Sequence, residues 1–209
     1  MEKKFEKILS ELKRLYPNNG TALKFGSNFQ LAIAVILSAQ CTDARVNSVT
    51  KVLFKKLKTP EDFANVSQKD LEKLIYSTGF YRAKAKNIRA MAKKIIENHG
   101  GKLPNSMEEL VKLPGIGRKT ANIILSEGFG LVEGIAVDTH VKRLSQRIGL
   151  SNNKTPEKIE LDLMKIFPKS EWRFISNALI LHGRKICSAR KPKCQECSLN
   201  NVCKSAFKA

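Results

Sequence analysis

Residues 106–129 read SMEELVKLPGIGRKTANIILSEGF, and this stretch decides the fold. Ser106 stands three residues before Glu109, the pattern of a helix N-cap, so Ser106 to Lys112 reads as a short helix. Leu113 to Gly117 (LPGIG) follows as a tight turn, since Pro114 cannot continue a helix and Gly115 and Gly117 allow positive φ. From Arg118 the chain reads as a second helix running to Phe129, with Ala121, Ile124 and Leu125 facing inward. Helix, glycine turn and helix make a hairpin. Its uncovered backbone N–H groups and the N-terminus of the second helix form an anion site that fits a DNA phosphate and is blind to base sequence. A purely structural turn would use the same residues, and the basic surroundings favour the anion site.

Working outward, apolar residues recur at three- and four-residue spacing almost throughout, and alternation bounded by turn pairs is hard to find. The expected fold class is all-α, with about eight to ten helices of ordinary length. Helix starts are expected at Ser67, Ser106, Thr155 before Pro156, and Ser170 before Glu171. At 209 residues the chain has room for one compact domain or two small ones, and 42% apolar content is enough for a core. The longest apolar run, residues 31–39, is far shorter than the roughly 20 residues of a membrane span. The N-terminal MEKKFEKILSELKRL lacks the apolar segment of a secretory signal, so a cytoplasmic, nucleoid-associated location is expected.

Lys and Arg number 38 against 19 Asp and Glu, a formal charge of +19, which recruits polyanions. The lysines are spread along the chain and not gathered on one amphipathic segment, so nucleic acid is favoured over a membrane surface as partner. Arg82, Lys86, Arg89 and Lys93 fall on one helical face, either as a solvated surface or as a stripe that tracks phosphates.

Cys187, Cys194, Cys197 and Cys203 set four soft ligands within seventeen residues of a chain with one other cysteine, Cys41. Without an export signal, a metal site is favoured over two disulfides. Softness leaves zinc and an iron–sulfur cluster both open. Arg184, Arg190, Lys191 and Lys193 surround the cysteines, so the loop is expected to anchor itself on metal and present cations to phosphate. Four thiolates leave no coordination position for substrate, and the catalyst must lie elsewhere.

Lys119 stands beside Arg118 in the first turn of the second hairpin helix, where the macrodipole disfavours a cation. The positive potential there favours the free amine, the nucleophilic form; a phosphate-contacting lysine accounts for the pattern equally well. Asp138, after the apolar run 134–137 and before a new helix, reads as an N-cap compatible with a chemical role. Three histidines, with neither a Ser-His-Asp arrangement nor HExxH, argue against ordinary hydrolase mechanisms.

Taken together, LSAQCTD at 37–43, LPGIGRKTAN at 113–122, VDTHVKR at 137–143, LHGRKIC at 181–187 and the four-cysteine tail resemble the endonuclease III family of DNA repair enzymes, over essentially the whole chain. The resemblance implies a helix-hairpin-helix glycosylase fold with one helical domain at 21–132, a second built from 1–20 and 133–209, and the active site in the cleft between them. It implies Lys119 as nucleophile, Asp138 as catalytic carboxylate, and one [4Fe-4S] cluster on Cys187, Cys194, Cys197 and Cys203. The implied partner is double-stranded DNA with damaged pyrimidines or abasic sites, met by a monomer away from any membrane. By the same carry-over Gln40 enters the vacated base stack and Phe80 lies near the wedge, where the family pattern favours an aliphatic residue. Gly115, Gly117, Arg118, His140, Arg143, Arg184, Arg190, Lys191 and Lys193 are the further expected DNA contacts. Two other readings stay open: a mismatch glycosylase of the same superfamily, which commonly lacks lysine at the position of Lys119, and a non-catalytic, metal-stabilised DNA-binding module.

Overall fold

The computed structural model describes residues 2–208. The described residues form eleven α-helices, four short 3-10 turns and one π-helical segment, with no strand among them, and none of the helices is long and apolar enough to cross a membrane. The all-α expectation holds. The helices number one more than the upper end of eight to ten, and three of them are very short: Pro60–Asn65, Met107–Leu110 and Arg118–Ile123. The chain divides into two compact units, Ala22–Leu131, and Met1–Thr21 together with Val132–Ala209.

The first unit is built around α2 (Asn28–Ser38), the helix that carries the longest apolar run. Ser27 caps it by accepting from the Gln30 N–H, and Leu31, Ala32, Ile33, Ala34 and Leu37 are fully buried. A helix apolar on every side must be covered on every side. α3 (Asp43–Lys56), α6 (Tyr81–His99) and α8 (Arg118–Ile123) pack on it, with α4 (Pro60–Asn65) and α5 (Gln68–Ile75) set against α6 and α7 (Met107–Leu110) against α8. Their starts follow from local chemistry. Thr59 and Asp62 form a reciprocal capping box at α4, and Ser67 and Ser106 accept from the Asp70 and Glu109 N–H groups at α5 and α7.

The second unit holds α1 (Lys3–Leu15), α9 (Thr139–Ile148), α10 (Pro156–Ile166) and α11 (Trp172–Lys185). Its core joins Ile8 and Leu12 of α1 to Val141, Leu144, Ile159, Leu163, Ile175 and Leu179. Each such side chain removed from water contributes about 1.5–3 kcal/mol. The apolar run 134–137 is pinned between helices: the Ile135 N–H donates to the buried Glu160 carboxylate, and the Ser176 hydroxyl donates to the Ala136 carbonyl.

Two helix starts differ from expectation. Thr155 is the N-cap of α10 but its side chain makes no capping bond, and Pro156 alone marks the start. Ser170 is not a cap at all. It lies inside a 3-10 turn, Lys169–Glu171, and α11 begins at Trp172, whose indole N–H donates to the Phe167 carbonyl.

Candidate active site and cluster loop

The hairpin is anchored by Leu110, Leu113 and Ile116, all buried in the core of the first unit. Gly115 takes φ +83°, and a Cβ there would lie 3.0 Å from Asn87 Cβ and 3.4 Å from Ile36 Cδ1, so glycine is required by both conformation and space. Gly117 corrects the sequence reading. Its φ is −91°, open to any residue, and its part is to be an N-cap without a side chain, so that no side chain covers the first turn of α8. The second hairpin helix also differs: it is α-helical only to Ile123 and widens into a π-helical segment, Ile124–Phe129, that ends at Gly130. The widened turn seats Gly128 on α2, where a Cβ would meet Asn28 Oδ1 at 2.9 Å and Leu31 Cδ2 at 3.0 Å.

Arg118 and Lys119 are exposed on the first turn of α8. The Lys119 side chain makes no hydrogen bond or ion pair with any other described residue. Elsewhere on the same unit, Gln40 (φ +52°) and Phe80 (φ +47°) are exposed and left-handed, a conformation that costs a residue with a Cβ about 1–2 kcal/mol.

In the second unit Asp138 is the N-cap of α9, and both cap bonds fall on a single oxygen: Oδ1 accepts from the N–H groups of His140 at 2.8 Å and Val141 at 2.9 Å. Oδ2 bonds none of the described residues. Capping and chemistry can therefore be divided between the two oxygens. Burial holds the His140 imidazole below its ordinary pKa, opposed by Asp138 and reinforced by Arg143 and Arg184. His140 Nδ1 lies 3.1 Å from Arg143 Nη2.

Arg143 proves to be a fastener. Its guanidinium donates to the Gly183 carbonyl at 2.9 Å and twice to the Cys187 carbonyl, tying α9 to the end of α11. The helices meet closely at Gly183, where a Cβ would lie 3.0 Å from His140 Cβ. One turn further on, Arg147 donates to the Ser188 and Ala189 carbonyls and to Cys187 Sγ, and the Arg147 and Ile148 carbonyls accept from the N–H groups of Ser205 and Lys204. α9 thus begins at Asp138 and ends at the cysteine loop. That loop contributes Leu199 to the core, and Arg184, Arg190, Lys191 and Lys193 stand exposed along it, Lys193 paired with Glu196.

All four loop cysteines line one pocket. Among the described residues no three His, Cys, Asp or Glu side chains are close enough to hold a single metal ion. A lone tetrahedral zinc needs every sulfur at about 2.3 Å from one centre. Four thiols lining one pocket can each serve one iron of a four-iron cluster. Burial raises the Cys197 and Cys203 thiols above their usual pKa, so ligation must displace protons. Behind the loop, burial pushes the His182 imidazole down to about 4. Its Nε2 lies 3.4 Å from Cys197 Sγ and its Nδ1 3.0 Å from the Tyr16 hydroxyl, so a neutral ring can donate to the sulfur while accepting from Tyr16.

Residues 33–169 match the family model described as HhH-GPD superfamily base excision DNA repair protein, and residues 187–203 match the iron–sulfur binding domain of endonuclease III. Endonuclease III of Synechocystis is 50% identical over 95% of this chain and 91% of that protein, and endonuclease III of Bacillus subtilis 46% identical over 99% and 94%. The chain belongs to the endonuclease III family. This family member superimposes on a non-covalent endonuclease III–DNA complex with a TM-score of 0.94 at 44% identity, covering 100% of this chain and 98% of that one. A trapped endonuclease III–DNA covalent intermediate matches with the same TM-score and identity, over 100% and 99%. A thermostable thymine-DNA glycosylase, 23% identical with a TM-score of 0.87 over 99% and 98% of the two chains, shares the fold.

This endonuclease III family member is a base excision repair enzyme, and its cofactor is a [4Fe-4S] cluster that the four loop cysteines would hold. Sequence reasoning passed over four residues that the structure brings forward: Tyr16, Lys84, Arg147 and His182. For Lys84 a signal existed, since residues 84, 88, 91, 92 and 95 repeat with helical period on the buried face of α6. Arg147 lies one turn from Arg143, but nothing local shows where its guanidinium points.

Proposed function

We propose that this DNA glycosylase and AP lyase removes oxidised or ring-damaged pyrimidines from duplex DNA, with Lys119 as nucleophile and Asp138 as its carboxylate partner. The observation that carries the reading is Lys119 itself: an exposed lysine without any partner, on the uncapped first turn of a helix behind an anion-binding hairpin. Backbone N–H groups at Gly115, Gly117 and Arg118 take a phosphate, while His140, Arg184, Arg190, Lys191 and Lys193 meet further backbone. Arg143 serves these contacts by fixing the frame that presents them.

A stacked base is out of reach, so the damaged nucleotide is turned out of the helix, at a cost of a few kcal/mol that is smaller for a damaged base. Gln40 fills the vacated stack and Phe80 stands at the wedge. The free amine of Lys119 attacks C1′, and the base leaves with the electron pair of the glycosidic bond. Asp138 stabilises the positive charge that develops on the sugar and takes up the amine proton. The sugar ring opens to the Lys119 Schiff base, the adjacent carbon loses a proton, and the 3′ phosphate leaves by β-elimination. Water then hydrolyses the imine. The cluster, when bound, orders the terminal loop that brings its cations to the DNA. The enzyme acts as a monomer.

The test is borohydride trapping on a duplex containing thymine glycol, with Lys119→Ala and undamaged DNA alongside. A covalent adduct that needs both lesion and Lys119 is expected. Binding of DNA without an adduct on thymine glycol or on an abasic site would remove the lyase assignment.

A further inference from the structure

Lys84 is 5% exposed on the first turn of α6, where both burial and the positive helix end disfavour a cation. Its ammonium donates to the carbonyls of Leu37, Ala39 and Thr78, each at 2.8 Å, so each of the three N–H donors has its own acceptor. Leu37 and Ala39 lie at the C-terminal end of α2, and Thr78 closes the 3-10 turn Tyr76–Thr78, so the charge rests on the negative ends of two helical segments. Burial still lowers this ammonium below the usual lysine pKa, with Cys41 opposing. A lysine kept in the core for stability alone would be better replaced by an apolar residue.

The acceptors identify what is being held. Ala39 precedes Gln40, and Thr78 stands two residues before Phe80. Only three non-glycine residues with positive φ occur among the described residues, and two of them, Gln40 and Phe80, sit at the carbonyls that Lys84 gathers. One buried charge thus joins the two strained, exposed tips of this unit.

We propose that Lys84 is a positioning residue that locks the Gln40 and Phe80 loops into one rigid frame for entry into the base stack, so that it acts on nucleotide extrusion and not on the Schiff-base step. This rests on the reading that Gln40 and Phe80 enter the duplex. Loss of the tie frees both loops, and each must then be ordered against DNA at the moment of opening.

The experiment compares single-turnover trapping of wild type, Lys84→Met and a Gln40→Ala/Phe80→Ala double variant on an abasic site in a duplex and in single-stranded DNA, which needs no extrusion. Lys84→Met and the double variant should both slow the duplex reaction by roughly 10- to 100-fold, a scale typical of misplacement away from the chemistry, while Lys84→Met leaves the single-strand rate within about twofold. Equal losses on both substrates, or no loss on either, for Lys84→Met would overturn the proposal. If the double variant is slow on duplex and Lys84→Met is not, the positioning role alone falls; if the double variant is as fast as wild type, the intercalation reading falls and takes the proposal with it. Should the methionine variant fail to fold, Lys84→Arg keeps the charge, but its planar fork cannot meet three carbonyls converging on one point, and the same duplex-specific loss is expected. Equal rates for wild type and the arginine variant on duplex would then refute the tie.

Discussion

If Asp138 is the catalytic carboxylate proposed above, its two oxygens separate stability from catalysis. Asparagine keeps an oxygen for the His140 and Val141 N–H groups but carries no charge, whereas alanine removes both. Asp138→Asn should therefore unfold close to the wild-type temperature and yet lose nearly all trapping, while Asp138→Ala should also lose about 1 kcal/mol of stability. Thermal unfolding beside single-turnover trapping checks this, and an asparagine variant that still traps at the wild-type rate would leave Asp138 a cap only. At this scale sequence served well where a residue's meaning lies in its neighbours along the chain: Asp138 before a helix, Gly115 in a turn, Lys119 behind it. Arg143 illustrates the limit. Along the chain it is one more cation near His140, and only the approach of α11 turns its guanidinium onto the carbonyls of Gly183 and Cys187.

Among the elements, the hairpin depends most sharply on one residue. Replacing Gly115 by alanine forces a side chain into the left-handed region and toward Asn87 and Ile36, which should destabilise the protein by about 1–2 kcal/mol and displace the turn that offers its N–H groups. Duplex affinity should fall by roughly tenfold, corresponding to 1.4 kcal/mol. Gly117→Ala, at an ordinary φ with open space around it, should change both far less. Fluorescence anisotropy with duplex DNA and thermal unfolding of the two variants give the comparison, and equal losses would show that the turn's shape is not what matters. The starts at Ser67, Ser106 and Asp138 were legible because caps are local. The change from α to π winding at Ile124 was not, since nothing local in ILSEGF favours one winding over the other and Gly128 is seated on α2, far away in sequence.

For the molecule as a whole, the charge balance and the four cysteines could be read directly, while the manner in which the loop is held could not. The core of the second unit draws on α1, α9, α10 and α11, and takes Leu199 from the loop. Removing the iron by oxidation and chelation should accordingly leave most helical circular dichroism in place while freeing residues 187–208 to proteolysis. Duplex binding should weaken and its salt dependence flatten as the cations of the loop lose their places. A collapse of helical signal on iron removal would show instead that the second unit cannot stand without its cluster.

α9 links the last two of these scales. Ten residues of helix span about 15 Å, from the carboxylate of Asp138 at one end to Arg147 and Ile148, where the cysteine loop is fastened, at the other. A strut of this kind transmits displacement without any contact between what happens at its two tips. If Asp138 acts in base removal as proposed, injury to the iron is expected to slow that step from a distance, a point of failure apart from the site where DNA is cut.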